Sequence, residues 1–166
     1  MLPGVGVPLL NMRRPILIPA ATGTLFGNMT QNAGLTGAFD GNTNQNAGTC
    51  AVSAAAADGF VGKSFASPKI FHSATVHGSN DHGFIYANNS SFTLRIYGKK
   101  GAAPASAFDG TEVGHLNFTD TTNESAGRAI SSADLITAWD HLWLAFFDGV
   151  SAESLCGELI LNEYAG

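Results

Sequence analysis

The clearest pattern in the chain is the alternation of apolar and polar residues over several short segments. Apolar residues at every second position turn one face of an extended strand toward a core. Phe92, Leu94 and Ile96 follow this rule on one side of their segment, while polar and aromatic residues alternate with them. The predicted strands cover residues 91–97, 113–118, 141–147 and 158–164.

The segment 141–147 differs from the others because both of its faces are apolar. Leu142, Leu144 and Phe146 alternate with a second set that includes Trp143. A strand that is buried on both faces belongs in the middle of a packed sheet. We therefore expect Trp143 to be a core residue rather than a binding residue.

The connections between these segments indicate the fold class. Short strands separated by Gly-, Asn- and Asp-rich turns are typical of an antiparallel sandwich. The one helical signal, over residues 132–137, is long enough for a single turn. The sequence therefore predicts an all-β protein with an antiparallel β-sandwich.

The first nineteen residues break this pattern. Four of the six prolines, at positions 3, 8, 15 and 19, separate short apolar runs. Proline removes an amide donor and fixes φ, which excludes a central strand or a stable helix. The segment is also too apolar for a solvated linker. It is predicted to be an extended arm, packed either on another surface or on its own domain.

A polar turn occupies positions 40–43, where the sequence is Asp-Gly-Asn-Thr. Gly41 can adopt a positive φ, and the side chains of Asp40 and Asn42 can bond to nearby backbone. Such a turn gathers carbonyl and carboxylate oxygens, which are the ligands that Ca²⁺ prefers. An ordinary polar surface loop would have the same composition.

Composition narrows the class of partner. Charged residues make up 13% of the 166 residues, and the formal net charge is -5. The chain has no basic stripe that could replace the counterions of nucleic acid. Low charge is common in proteins whose surface is covered by other subunits, so the composition favours an assembly.

The two cysteines and the start of the chain carry less information. Cys50 and Cys156 are far apart and lack the spacing of a zinc site, so buried free thiols are favoured, with a disulfide as the alternative. The N-terminal apolar run is interrupted by prolines and precedes its arginines, unlike a signal peptide. No apolar run is long enough for a membrane-spanning helix.

Motifs for catalysis are missing from the sequence. It contains no nucleophile elbow, no His-Glu-x-x-His pair and no phosphate-binding Gly loop. His72, His77 and His82 recur every five residues, which matches neither one helix face nor one strand face. We therefore predict a protein that is not an enzyme.

Taken in order, these pieces resemble the discoidin, or factor V/VIII C-type, domains and the related galactose-binding-like carbohydrate-binding modules. The resemblance rests on the Asp-Gly-Asn turn, the strand at 92–98, the Phe-Thr-Asp at 118–120, the Trp-Leu-Ala-Phe at 143–146 and the last strand. It implies a jelly-roll sandwich over residues 22–166, preceded by the arm at residues 1–21. The tryptophan that the family usually places soon after the turn is missing.

The resemblance also implies a metal site. In the carbohydrate-binding relatives, a structural Ca²⁺ is held by the Asp-Gly-Asn turn and by a glutamate in the last strand. Other members lack the ion and hold the turn by hydrogen bonds. The residues that match the ligands here are Phe39 through its carbonyl, Asp40, Asn42 or Thr43, and Glu158.

A glycan site is the second implication of the resemblance. The family binds sugars on loops at one end of the sandwich, with an aromatic ring under the sugar and polar side chains around it. The same loop would also suit a protein contact. The candidates in this chain are His77, Asn80, Asp81, His82, Phe84 and Tyr86.

Three features favour a component of a phage-like particle: the absence of a signal peptide, the apolar arm, and a chain of little more than one module. The resemblance extends to discoidin-like proteins of tailed phages and gene transfer agents, which form head spikes, fibres or tail decorations. The first hypothesis is an oligomeric virion protein, made in the bacterial cytoplasm, that contacts other virion proteins and copies of itself and binds host capsular polysaccharide. The alternative is a soluble, lectin-like carbohydrate-binding module.

Overall fold

The computed structural model describes residues 14–55, 58–86, 91–147 and 152–164, so that residues 1–13 of the predicted arm lie outside it. The described residues are mainly β-strands, with short 3₁₀ helices at Gly34–Ala38 and Ala47–Thr49. No helix among them has the length and apolar character to span a membrane. The strands are β1 (Pro15–Leu17), β2 (Thr24–Gly27), β3 (Gln31–Asn32), β4 (Ala51–Val52), β5 (Phe60–His77), β6 (Ser91–Lys99), β7 (Thr111–Thr119), β8 (Arg128–Ser131), β9 (Ala138–Phe147), β10 (Leu155–Cys156) and β11 (Glu158–Tyr164).

The long strand β5 joins two groups of antiparallel strands. Its first part pairs with β2 and β9, and β9 continues the sheet to β6 and β7. Its last part pairs with β11 and β8. The register with β9 shifts between Ser64 and Lys69, and Pro68 lies in this irregular stretch, where a missing amide donor is tolerated. A small third sheet contains β10, β4 and β3.

One apolar core fills the space between the two groups of strands. Leu94, Leu144 and Phe146 from β6 and β9 belong to the same buried cluster as Val76 and Leu159 from β5 and β11. The all-β antiparallel sandwich predicted from the sequence is therefore confirmed. The predicted strand 158–164 coincides with β11, while β6, β7 and β9 extend beyond their predicted bounds.

The central strand β9 lies between β5 and β6. Trp143 is fully buried on its second face, where it stacks on Tyr97 with the ring centroids 5.6 Å apart. The indole Nε1 donates a hydrogen bond to the Ala107 carbonyl at 2.7 Å. The predicted core role of Trp143 is confirmed, and its buried indole donor is satisfied.

The predicted helical turn at residues 132–137 is wrong, because the structure has a loop there. The Asp134 carboxylate accepts hydrogen bonds from the amides of Ile136 and Thr137, each at 3.0 Å. An Asp side chain that bonds to backbone two and three residues later competes with helix formation. The local polar contact therefore overrides the weak helical pattern.

The described end of the predicted arm lies against its own domain. Strand β1 pairs with β11 at the edge of the large sheet, and Ile18 is buried beside it. Ile16 and Leu17 nevertheless remain 47% and 56% exposed. Two exposed aliphatic side chains thus lie on an edge strand.

The two cysteines are buried free thiols. Burial raises the pKa of Cys50 to about 12, with the charges of Asp81 and Asp40 adding to the effect, and burial also raises the pKa of Cys156. Because the thiolate is the reactive form, we expect no reaction with an aromatic disulfide reagent in the folded protein and two reactive thiols in concentrated guanidinium. Absorbance of the thiolate released from the reagent gives the number of reactive thiols in the folded and in the denatured protein. No reaction after denaturation would indicate a disulfide.

Candidate functional site

The polar turn lies directly against the last strand. Gly41 adopts a φ of +82°, and its amide donates a hydrogen bond to the Glu158 carboxylate at 2.9 Å. The Asp40 carboxylate accepts a hydrogen bond from the Asn42 amide at 2.8 Å. Two segments separated by more than a hundred residues therefore meet at this point, which we call the turn–strand junction.

Gln45 lies at the centre of the turn–strand junction. Its side chain is buried, and its Nε2 atom is 2.7 Å from the Gly157 carbonyl, 2.8 Å from the Asp40 carboxylate and 2.9 Å from the Gly37 carbonyl. The Asn42 carbonyl lies 3.1 Å from the same atom. We call these four oxygens the oxygen cage.

The oxygen cage can be compared with the predicted calcium site. Asp40 and the Asn42 carbonyl belong to the cage, whereas Glu158 bonds to the Gly41 amide and Thr43 is exposed on the turn. Ca²⁺ takes six to eight oxygens at about 2.3–2.6 Å. With the Gln45 amide nitrogen at the centre, the arrangement does not fit a bound ion, because both would occupy one position.

Glu158 is the buried acidic group of the last strand at this junction. No group of three or more His, Cys, Asp or Glu side chains suited to a metal lies within the described ranges. Burial raises the pKa of Glu158 to about 7, and the neighbouring Asp40 adds to the rise. The last-strand glutamate therefore exchanges a proton near neutral pH.

A mostly apolar cavity of about 190 Å³ adjoins the junction and is lined by the start of β11 and by residues 17–20. Burial lowers the pKa of Lys63, which lines this cavity. The ammonium donates to the Ala20 carbonyl and lies 4.4 Å from the centre of the Phe39 ring. The ring of Phe39, a residue predicted as a metal ligand through its carbonyl, thus packs against a cation of the chain itself.

Four of the six predicted glycan residues are accessible on one loop, residues 78–86. His82 and Tyr86 form a ring pair with centroids 4.6 Å apart, and Tyr86 is 38% exposed. Asp81 lies 3.2 Å from the His82 ring. Although burial opposes the effect, the Ala47 amide and His82 hold the pKa of Asp81 below its usual value. Asn80 completes this accessible set.

The other two predicted glycan residues point into the protein. Phe84 is fully buried and packs edge-on against Phe118, with ring centroids 5.5 Å apart. His77 is 8% exposed and bonds through Nδ1 to the Ser125 carbonyl at 2.7 Å. Both residues therefore support the loop from below, and neither presents a surface to a sugar.

Asp120, which the sequence analysis did not place in a site, anchors this loop. Its carboxylate is fully buried and accepts hydrogen bonds from the amides of Phe84 and Ile85 at 3.1–3.2 Å. Burial raises the pKa of Asp120 to about 6 in spite of these bonds, with Glu124 contributing to the rise. The buried position was not readable from sequence, because Asp120 follows a strand whose alternation ends there.

The accessible loop and the turn–strand junction are neighbours. The Asn80 amide donates to the Gln45 carbonyl at 2.7 Å, and its side chain donates to the Asn44 side chain at 3.0 Å. The Ala47 amide donates to the Asp81 carboxylate at 2.9 Å. The polar stretch after the turn therefore holds the first half of the loop in place.

Known structures share this architecture. No protein-family profile matches the chain, and no curated protein matches its sequence. A family 32 carbohydrate-binding module of NanJ from C. perfringens, in complex with galactose, has a TM-score of 0.66 at 14% identity, over 90% of this chain and 100% of that chain. An F5/8 type C domain of a Bacteroides fragilis protein has a TM-score of 0.62 at 12% identity, over 92% and 98% of the two chains.

A lectin gives a similar result. The fucolectin from striped bass (Morone saxatilis) serum has a TM-score of 0.59 at 16% identity, over 91% of this chain and 47% of that chain, so this chain spans about half of its length. At these identities the likeness establishes the fold alone. The chain has the discoidin-like, galactose-binding-like β-sandwich that the resemblance in its sequence implied.

Proposed function

We propose that this protein is a carbohydrate-recognition module that binds a sugar at the loop of residues 78–86. The observation that carries the proposal is the accessible His82–Tyr86 ring pair, which lies beside the polar side chains of Asp81 and Asn80. The similar structures support the same class, since their names describe carbohydrate-binding modules and lectins. The main role is recognition, and no catalysis is required of these residues.

The chemistry of the loop suits a sugar. An aromatic ring packs against the C–H face of a pyranose, while carboxylate, amide and imidazole groups bond to its hydroxyls. The backbone of the loop is fixed by Asp120 and by the bond from the Leu155 amide to the Phe84 carbonyl at 2.7 Å. A loop that is held in one conformation loses little entropy when it binds a ligand.

The test is glycan binding by wild type and by Tyr86→Ala. Removing the ring deletes the apolar contact, so we expect the affinity to fall at least about tenfold, measured by calorimetry with galactose, fucose and the best ligand from a glycan array. His115→Ala is the matched control, because His115 is exposed on β7 and bonds only to Glu112 among the described contacts. Wild-type protein that binds no glycan on the array would contradict the proposal.

A second proposal keeps the particle role predicted from the sequence. The exposed Ile16 and Leu17 on the edge strand β1 favour it, since they offer an apolar contact for another subunit. In this role the protein would contact virion proteins or its own copies and present the sugar-binding loop to host polysaccharide.

A double substitution on β1 separates the two roles. Ile16→Ser with Leu17→Ser removes the exposed apolar side chains, while the backbone pairing of β1 with β11 remains available. We expect this variant to lose its oligomeric state in light scattering after size exclusion, while sugar binding is kept. A full-length chain that is monomeric and absent from purified particles of the source culture would contradict the particle role.

A further inference from the structure

The oxygen cage has more acceptors than its occupant has hydrogens. The Gln45 side-chain amide carries two N–H bonds, yet four oxygens lie 2.7–3.1 Å from its nitrogen. Three of them are backbone carbonyls and the fourth belongs to the Asp40 carboxylate. A position surrounded by so many oxygens has a strongly negative potential and attracts positive charge.

The orientation of the Gln45 amide agrees with this potential. Its nitrogen, which carries the partial positive charge, faces the cage, while its Oε1 atom is buried without a hydrogen-bond partner in the described part of the chain. An unpartnered buried oxygen costs free energy. The opposite orientation would bring Oε1 against four oxygens, which is worse.

We propose that the Gln45 carboxamide takes the cation position at the turn–strand junction, so that this chain holds the junction without calcium. One side chain connects the 3₁₀ helix at Gly37, the turn at Asp40 and Asn42, and Gly157 immediately before β11. A metal ion in that place would connect the same three segments.

The geometry also explains why a neutral group suffices here. Asp40 already accepts the Asn42 amide, and Glu158 accepts the Gly41 amide, so each carboxylate has a backbone donor of its own. The Lys63 ammonium lines the adjoining cavity together with Glu158 and interacts electrostatically with that carboxylate. The junction therefore contains a backbone donor for each acidic group and a cation of the chain beside Glu158.

The first test measures thermal unfolding of the full chain with millimolar CaCl₂ and with EDTA. We expect the Tm of the wild type to be the same in both conditions. A Tm that rises by several degrees in calcium and falls in EDTA would overturn the proposal, because the ion would then displace the amide.

The second test replaces the amide. Gln45→Ala leaves the buried carbonyls of Gly37 and Gly157 without a donor, so we expect a Tm at least about 5 °C below that of the wild type in EDTA. Asn46→Ala is the matched control, since Asn46 is the exposed neighbour and, among the described residues, its side chain accepts a single hydrogen bond, from the Thr49 hydroxyl at 3.4 Å. Equal Tm values for Gln45→Ala and the control would overturn the proposal.

A third variant serves even where Gln45→Ala does not fold. Gln45→Glu keeps the size of the side chain but places a second carboxylate against Asp40 and the carbonyls. We expect this variant to have a lowered Tm in EDTA and to recover several degrees in millimolar CaCl₂, with less recovery in MgCl₂, because Mg²⁺ requires a smaller octahedral site. A Gln45→Glu protein that does not respond to calcium would overturn the assignment of a cation position.

Discussion

Gly83→Ala is expected to destabilise the protein by more than about 3 kcal/mol, which lowers the Tm by roughly 6–12 °C in a chain of this size. Gly83 has a φ of +73°, a conformation that disfavours any residue with a Cβ atom. An added Cβ would lie 1.9 Å from the Thr121 carbonyl oxygen and 2.7 Å from the nearer Asp120 carboxylate oxygen. Both obstacles are parts of the rigid anchor below the loop, so neither can move aside cheaply.

Gly34→Ala is the control that separates the cost of a positive φ from the cost of a steric clash. Gly34 also has a positive φ, +64°, but a Cβ built there meets nothing within 4 Å. This variant should lose only about 1–2 kcal/mol, the cost of the left-handed conformation itself. Thermal unfolding of both variants measures the difference, and equal losses would show that the loop yields to the added atom.

The sequence predicted the strands best where burial is regular. The alternation in β9 and β11 follows the faces of the strands, because each has a continuous buried side. It did not predict β5 as one strand of eighteen residues. Gly62, Pro68 and several small residues interrupt the alternation of apolar and polar positions in this segment. The structural reason is that β5 changes partner strands along its length, and its register with β9 shifts between Ser64 and Lys69.

The candidate site was predictable in outline. The turn and Glu158 were expected to meet, and the hydrogen bond from Gly41 to Glu158 joins them. Gln45 was missed, because it stands in a run of Asn, Thr and Gln that resembles a solvated loop. Its burial depends on Gly157, which is more than a hundred residues away, and no local pattern can indicate such a contact.

The loop of residues 78–86 was also predicted only in part from the local sequence pattern. Phe84 and Tyr86 are two residues apart, so period-two logic would place both rings on one face. The structure buries Phe84 fully and leaves Tyr86 38% exposed. The Asp120 carboxylate, by bonding to the Phe84 and Ile85 amides, fixes a turn in which the alternation no longer applies.

Asp120 is expected to make the protein more stable as the pH falls from about 7 to about 4. Its folded-state pKa of about 6 lies above its ordinary value of 3.8, so the folded state binds more protons in this range than the unfolded state does. Its contribution to stability is therefore complete below about pH 4 and is lost as the pH rises through 6. The linkage amounts to about 3 kcal/mol. Glu124 and its ion-pair partner Arg128 are charged groups that interact with it.

Asp120→Asn isolates this contribution, because the amide resembles a protonated carboxyl and keeps one oxygen for the Phe84 and Ile85 amides. The difference in the free energy of unfolding between wild type and variant should change by about 2 kcal/mol between pH 4 and pH 7, in favour of the variant at pH 7. Urea unfolding at each pH measures it. Asp109→Asn is a control for which the opposite pH dependence is expected. The hydrogen bond from Lys99 lowers the pKa of Asp109, so the stability of the wild type relative to this variant should increase as the pH rises. If the free energy of unfolding depends on pH in the same way for wild type and Asp120→Asn, the Asp120 carboxyl does not take up a proton in the folded protein.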